Sequence, residues 1–373
     1  MPEFLKDAMK RVVAFFRRIG ALLVAAVVWP FGAAGGASGR RGLIIKSGLG
    51  VFVLVLVLFY GTFFWRTEIW YGFNPDYVDG YQLSERTAPA GASLPASGDG
   101  AAASCQSSAL VSVLADLVDM NVNQNSWISS TLAYRMGFFG LNWDKTPFFD
   151  NKAAFQRGVN QAVRRSTVEL VDTLGRVRGT SGVDNNLQDA RGNLQYDEYS
   201  WYFGLHPFGF KTPTPSFYRS AVKSLDRFNT ELSGCNTVFD ARADNLSQFV
   251  DRIANDLGGT SAILRERSEN HNGGWFDTRA DDRFWFAYGQ LYGYYGILAA
   301  TGADFSQVIA QRDLTALWSE TLDQFRAALA IQPAIISNGR EDGWIMPTHL
   351  ATMGFYILRV RSNLVEIRAV LDR

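Results

Sequence analysis

The run "SGLGVFVLVLVLFYGTFFW", from Ser47 to Trp65, carries no charged residue. A chain inside hydrocarbon has no water to satisfy its backbone N–H and C=O groups, so a single apolar segment can only be a helix there. At ~1.5 Å per residue the run approaches the ~30 Å thickness of a bilayer core. Tyr60, Trp65, Trp70 and Tyr71 fall where an outer aromatic belt belongs, and Lys6, Lys10, Arg11, Arg17, Arg18, Arg40, Arg41 and Lys46 all precede the run. That asymmetry sets the N-terminus in the cytoplasm and the bulk of the chain outside. A cleaved signal peptide fits poorly: the run is long, begins late, and no small-residue cleavage site follows it directly. The expectation is a transmembrane anchor over residues 43–66.

Before the anchor, residues 1–42 read as a basic amphipathic segment. Phe4, Leu5, Ala8, Val12, Phe15, Phe16 and Ile19 recur at helical spacing opposite Lys6, Lys10, Arg17 and Arg18, a pattern suited to the cytoplasmic membrane surface. Residues 19–34 are apolar but short and interrupted at Trp29-Pro30; a second membrane pass there stays open and would move the N-terminus. After the anchor, residues 67–104 read as a juxtamembrane segment, free to fold back from Phe73 to Gln82, and a flexible tether rich in Pro, Ala, Gly and Ser from Leu83 to Ser104. An external domain over 105–373 completes the division. Both cysteines, Cys105 and Cys235, fall in it. An oxidising compartment permits a disulfide between them, which is the reading favoured, with two separate buried thiols as the alternative because spacing alone does not show that the side chains meet.

Periodicity in the external part is helical almost throughout. Phe155, Val159, Ala162, Ser166, Leu170, Leu174 and Val177 line one face of a long helix, opposite Gln156, Arg157, Asn160, Arg164, Glu169 and Asp172, with Asp150 or Asn151 as cap and Gly179 just past the end. Stripes at Tyr218, Ala221, Leu225, Phe228 and Leu232, at Leu246, Phe249, Ile253 and Leu257 up to Gly258-Gly259, and at Leu314, Leu317, Trp318, Phe325 and Leu329 mark further helices. No stretch shows sustained strand alternation with hairpin turns. The fold expected is all-α, a multi-helix bundle or helical array outside the membrane with one N-terminal transmembrane helix.

At the C-terminus, Leu350, Met353, Ile357, Val360, Leu364, Ile367 and Leu371 alternate spacings of three and four, a heptad seam after Pro347. Such a seam can zip to a second copy and make a homo-oligomer, or pack within the chain against the long helix from Phe155 to Val177.

The run "FFDNKAAFQRGVNQAVRRSTVELVDTLGRVRGTSGVDNNLQDA", followed by "RADNL" and "ANDLG", resembles the proteobacterial membrane-anchored envelope family catalogued as domain of unknown function 2333, from about Leu110 to the C-terminus. The resemblance implies a bacterial inner-membrane protein with its main domain in the periplasm. It implies no mechanism and carries no catalytic residues onto this chain.

Lysine plus arginine equal aspartate plus glutamate at 36 each, so no basic excess supports nucleic-acid binding. The histidines His206, His271 and His349 have no partners at metal-ligand spacing, and no phosphate loop or nucleophile elbow occurs, so neither metal nor cofactor is expected. Carboxylates beside aromatics are the remaining chemistry, because glycoside cleavage needs two acids facing one bond and a ring to stack the sugar. Candidates are Asp197 and Glu198 beside Trp201, and Glu269, Asp277, Asp281 and Asp282 beside Trp275 and Trp285. Most such acids are solvated surface or caps. The function favoured is therefore non-catalytic: a membrane-anchored helical module that binds or organises an envelope protein or peptidoglycan, with a glycan-acting hydrolase as the alternative. Two perturbed carboxyls facing each other in a cleft would speak for the hydrolase, and a shallow apolar or aromatic patch for the scaffold.

The stretch "ENHNGGWFDTRADDRFWFAYGQLYGYYGILAA", Glu269 to Ala300, concentrates the ambiguity. Gly289, Gly293, Gly296 and Ala300 make a small-residue seam on one helical face, and Trp285, Tyr288, Tyr292, Tyr295 and Ala299 a second stripe turned by about 100°. Interior glycines cost ~1 kcal/mol each relative to alanine. The pattern predicts a central packing helix from Arg279 to Ala300 with another backbone pressed against it.

Overall fold

A computed structural model describes residues 39–86, 88–95, 104–143, 146, 149–176, 182–205, 208–274, 277–340 and 346–373. The expected amphipathic segment before residue 39, the open second pass at 19–34, and Val177, Gly179, His206 and Trp275 lie outside them. The chain divides into two units, Met1–Trp65 and Arg66–Arg373. In the first, the described residues belong to helix α1 (Gly39–Glu68). Its stretch Gly42–Glu68, with mean hydropathy 2.5, is long and apolar enough to cross a membrane.

The second unit is all-α. Around its centre stand α2 (Ala109–Asp119), α3 (Leu132–Met136), α4 (Asn151–Glu169), α5 (Asn185–Leu194), α6 (Thr214–Ser233), α7 (Ala243–Asn270), α8 (Ala280–Asp304), α9 (Ser306–Gln311), α10 (Thr315–Leu329) and α11 (His349–Leu371). The most extensive pairings are α4 with α8 and α7 with α11; α6 packs on α2 and α5, and α10 on α8 and α11. Single π-type turns, Met120–Gln124 and Leu170–Leu174, extend α2 and α4.

Helix α8 is the hub. Nearly all its residues from Ala287 to Thr301 are buried, tyrosines included. Their hydroxyls find partners, as buried phenols must: Tyr288 donates to the Leu329 carbonyl at 2.8 Å, Tyr294 to Asp256 at 2.8 Å, and Tyr295 accepts from Arg326 at 2.7 Å. An added Cβ on Gly289 would collide with the Phe155 carbonyl of α4, and one on Gly158 of α4 with the Phe286 carbonyl of α8. On Gly293 it would lie 2.9 Å from the Ala162 Cβ. Gly296 differs: it faces the hydroxyl of Tyr77, from the segment after α1, and not a helix backbone.

Four details depart from the sequence reading. The polar face assigned to α4 is solvated only in part: Gln156 and Asn160 are buried, whereas Asp172 is exposed. Gln156 accepts from Ile128 N at 3.0 Å and donates to the carbonyls of Ser126 and Asn121, while Asn160 donates to Glu198 and Tyr218. Amides can be buried on a helix when loops bring them partners, which helical periodicity cannot register. Next, α7 does not stop at Gly258-Gly259 but runs on to Asn270. Gly258 lies against the Arg361 side chain of α11, and packing along the helix outweighs the propensity cost. The C-terminal seam is buried within the chain, but against α7 and α10 rather than the long helix α4. Finally, two short antiparallel pairs exist, β1 (Ser93–Leu94) with β2 (Ser104–Cys105) and β3 (Phe203–Leu205) with β4 (Phe208–Phe210). Strands of two or three residues are too short to show alternation.

The juxtamembrane segment folds back on the unit, as the sequence reading allowed from Phe73 to Gln82, and the stretch expected to be a tether from Leu83 is held to the domain at several of its described residues. Trp70 and Phe73 meet Phe155 ring to ring at 5.0 and 5.6 Å, and Tyr77 stacks on Tyr292 at 4.5 Å. Ala90 is buried, Arg86 pairs with Asp304, and Gly91 N donates to the Gln106 carbonyl at 2.7 Å. Small Ala and Ser residues suit a close-packed strap as well as a free linker, and composition does not separate the two. The globular unit thus begins at Arg66, not near Cys105.

Candidate functional site

The acids singled out by sequence go to different places. Glu269 is exposed and pairs with Arg265 one turn away. Asp277 is a structural clasp: its buried carboxylate is gripped by Arg267 and accepts from Asn338 Nδ2 at 2.9 Å and Arg279 N at 3.2 Å. These bonds hold its carboxyl below the usual range against the opposing effect of burial. Asn338 also donates to the carbonyls of Arg267 and His271, so the clasp ties the end of α7 to the segment before α11. Asp197 accepts from Ser200 at 2.9 Å, and Glu198 accepts from Arg164 and Asn160 at 3.0 Å each. None of these four is left in a cleft with a facing carboxyl.

Asp282 is different. It lines a cleft of about 470 Å³ between α4, α7 and α8, within the size range of small-ligand sites. Aromatic rings come from Tyr134, Trp143, Tyr199 and Phe286, and positive charge from Arg157, Arg279 and Arg283. The cleft exists because Gly158 and Gly289 let α4 and α8 meet backbone to backbone, which sets Arg157 and Asp282 on the same side of the seam. Arg157 donates to the Tyr199 hydroxyl at 2.8 Å and lies 4.0 Å from Asp282. Burial opposes its charge, but Tyr134, Tyr199 and Asp282 outweigh that and keep the guanidinium protonated.

Behind Asp282 sit two further carboxyls. Asp150, read from sequence as a helix cap, stands at the N-cap of α4 but makes no side-chain capping bond. It is wholly buried, and burial, then Asp282 and Asp281, push its pKa up to about 10. Asp281, in the first turn of α8, is pushed up to about 7 by burial and by Asp282. Asp150 and Asp281 thus stand behind the one acid that lines the cleft among the described residues, and both hold their protons to higher pH than an ordinary carboxyl because charge there is expensive. This is not the arrangement of two carboxyls on opposite sides of a glycosidic bond. Asp150 was missed as a member of the group because capping is the usual work of an aspartate before a helix, and only the fold shows that this one does not cap. Among the described residues, no group of three His, Cys, Asp or Glu side chains could hold a metal ion.

Cys105 and Cys235 are disulfide-bonded, with Cα atoms 5.3 Å apart. The two described histidines do not line the cleft: His271 is exposed, and His349 accepts from Ser337 N at 2.9 Å through Nδ1.

Fold and sequence together define an all-α protein with one N-terminal helix suited to a membrane and an arginine-rich, aromatic cleft in its helical unit. Residues 119–273 match the model of domain of unknown function 2333, a family described as an uncharacterized protein conserved in bacteria. The resemblance seen in the sequence motifs is borne out over that segment, which includes α4, most of the cleft and α7. No curated protein and no solved structure matches the chain.

Proposed function

We propose that the protein is an inner-membrane-anchored periplasmic module that binds a component of the envelope, peptidoglycan in the first place, through the cleft at Asp282, without cleaving it. The observation that carries this reading is the cleft's composition: aromatic rings to stack on sugar faces, and guanidinium groups to pair with the carboxylates of a peptide stem. Among the described residues lining the cleft Asp282 is the sole acid, with no second carboxyl facing it, which favours binding over hydrolysis. The disulfide supports an oxidising compartment, and the basic residues before Ser47 support a cytoplasmic N-terminus.

Sedimentation of the full-length chain in detergent with purified sacculi tests it. The parent protein should pellet with the sacculi and release no soluble fragments, and Arg283→Ala combined with Phe286→Ala should lower the bound fraction at least several-fold. Soluble fragments that disappear in Asp282→Asn would instead establish the hydrolase, and no pelleting would remove peptidoglycan as the ligand. An alkaline phosphatase fused after Arg373 should be active; an inactive fusion alongside a fluorescent cytoplasmic reporter at the same position would overturn the topology.

A further inference from the structure

Two loops of the helical unit expose large apolar side chains. At the end of α3 and in the turn after it, Met136, Phe139 and Leu141 are 53%, 68% and 62% exposed. In and beside the β3–β4 hairpin, Tyr202, Phe208 and Phe210 reach 60%, 80% and 94%. The register Phe203↔Phe210 and Leu205↔Phe208 puts Phe203, Phe208 and Phe210 on one hairpin face, where the Phe203 ring meets the other two at 5.1 and 5.9 Å. Isolated exposed apolar residues need no explanation, whereas clustered ones mark an interaction site.

Hydrogen bonds place both loops at one end of the unit. Lys152, in the first turn of α4, donates to the carbonyls of Arg66 and Ile69 at 2.8 and 2.6 Å, so the start of α4 lies where the chain enters the unit. Asn125, after α2, is bonded both ways to the backbone of Tyr71, and its neighbour Asn123 accepts from Arg219 in the second turn of α6. The start of α6, with the hairpin just before it, therefore lies at the same end. Arg135 of α3 donates to the Tyr199 carbonyl at 3.4 Å, and Trp143, after the first loop, meets Phe149 just before α4 at 5.9 Å. Residues 66–70 follow directly on the uncharged run Ser47–Trp65 of α1, so on the anchor reading the chain enters the unit at this end.

We infer that the two loops, through Met136, Phe139, Leu141, Phe208 and Phe210, dip into the outer face of the same bilayer that α1 crosses. The occupant is lipid because the loops sit at the membrane end of a chain that already spans it. Aromatic rings are also the side chains that settle at the headgroup boundary. The inference rests on the anchor reading of α1, and it gives the unit a second point of attachment, which fixes its orientation on the membrane. The aromatic cleft is tied to the same end through Tyr134 and Tyr199.

The test uses the full-length chain in nanodiscs of phosphatidylethanolamine and phosphatidylglycerol, with a nitroxide carried on p-acetylphenylalanine at one position at a time. Collision rates with oxygen and with a water-soluble nickel chelate report depth. Labels replacing Phe139, Phe208 and Phe210 should collide more with oxygen than with nickel, like one replacing Val57 in α1. A label at Val238, after the far end of the ~30 Å α6, should behave as in water. Nickel-accessible labels at 139, 208 and 210, with Val57 still in lipid, would sink the inference and spare the anchor. Low access to both reagents at the loop positions would mean a protein partner covers them, which overturns the inference equally. A water-accessible label at 57 would fail the anchor reading itself.

Discussion

Gly293 and Asp282 stand on the same helix, about three turns apart, and are expected to respond in opposite ways. Gly293 has the Ala162 Cβ where its own Cβ would need 2.9 Å, and neither helix can retreat without opening the α4–α8 seam. Gly293→Leu should destabilise the unit by about 1–3 kcal/mol or more through overpacking, read as a lowered melting temperature in detergent. Asp282→Asn should leave melting close to that of the parent; equal melting of Gly293→Leu and the parent would show that the seam yields. Asp281 carries a pH dependence. Its carboxyl is pushed up to about 7 in the fold from the ordinary 3.8, chiefly by burial. A carboxyl raised in the folded state stabilises fully below the unfolded value, and that contribution is lost as pH rises toward and through the folded one. Asp281→Asn should thus be more stable than the parent at pH 8, by about 1–3 kcal/mol, with the gap closing toward pH 4. A gap independent of pH in urea melts would refute the assignment.

At the scale of elements, α11 shows how a heptad seam can be filled within one chain. All seven seam residues, Leu350, Met353, Ile357, Val360, Leu364, Ile367 and Leu371, are buried against α7 and α10. The stripe that could have faced another subunit is occupied by the chain's own helices. Ile357→Ala should cost about 2–5 kcal/mol, as a shift in the thermal midpoint that does not depend on protein concentration. A concentration-dependent midpoint would instead return the seam to a role between copies. The same pairing explains why α7 passes through Gly258-Gly259: a helix packed along its length against α11 tolerates residues that would end an isolated one.

For the whole molecule, the covalent link matters most. Cys105 lies just before α2 and Cys235 just after α6, and the bond closes a sequence separation of 130 residues. The chain-entropy model values such a closure at roughly 4–5 kcal/mol. Reduction should lower the melting temperature of the full chain sharply, and thiol titration of unreduced, unfolded protein should find no free thiol. Two titratable thiols would remove the claim. The unit fastened in this way begins at Arg66, and its strap is bonded to it from Arg86 to Asp304 and from Gly91 to Gln106.

What could be read from the chain were properties that live in local pattern. An uncharged apolar run fixes a helix suited to the bilayer because hydrocarbon leaves no alternative for the backbone. Repeats of three and four fix helices because side chains on one face must be buried together, and the glycine spacing in Glu269 to Ala300 marks where a backbone can come close. Partners in space were not available to that reasoning. That α11 meets α7, that Asp277 is clasped by Arg267 and Asn338, that Asp150 abandons its cap to join Asp281 and Asp282, and that a stretch with linker composition straps down the core all depend on residues remote in sequence. Burial and charge coupling are sums over neighbours in three dimensions, and only the packed chain brings those neighbours together.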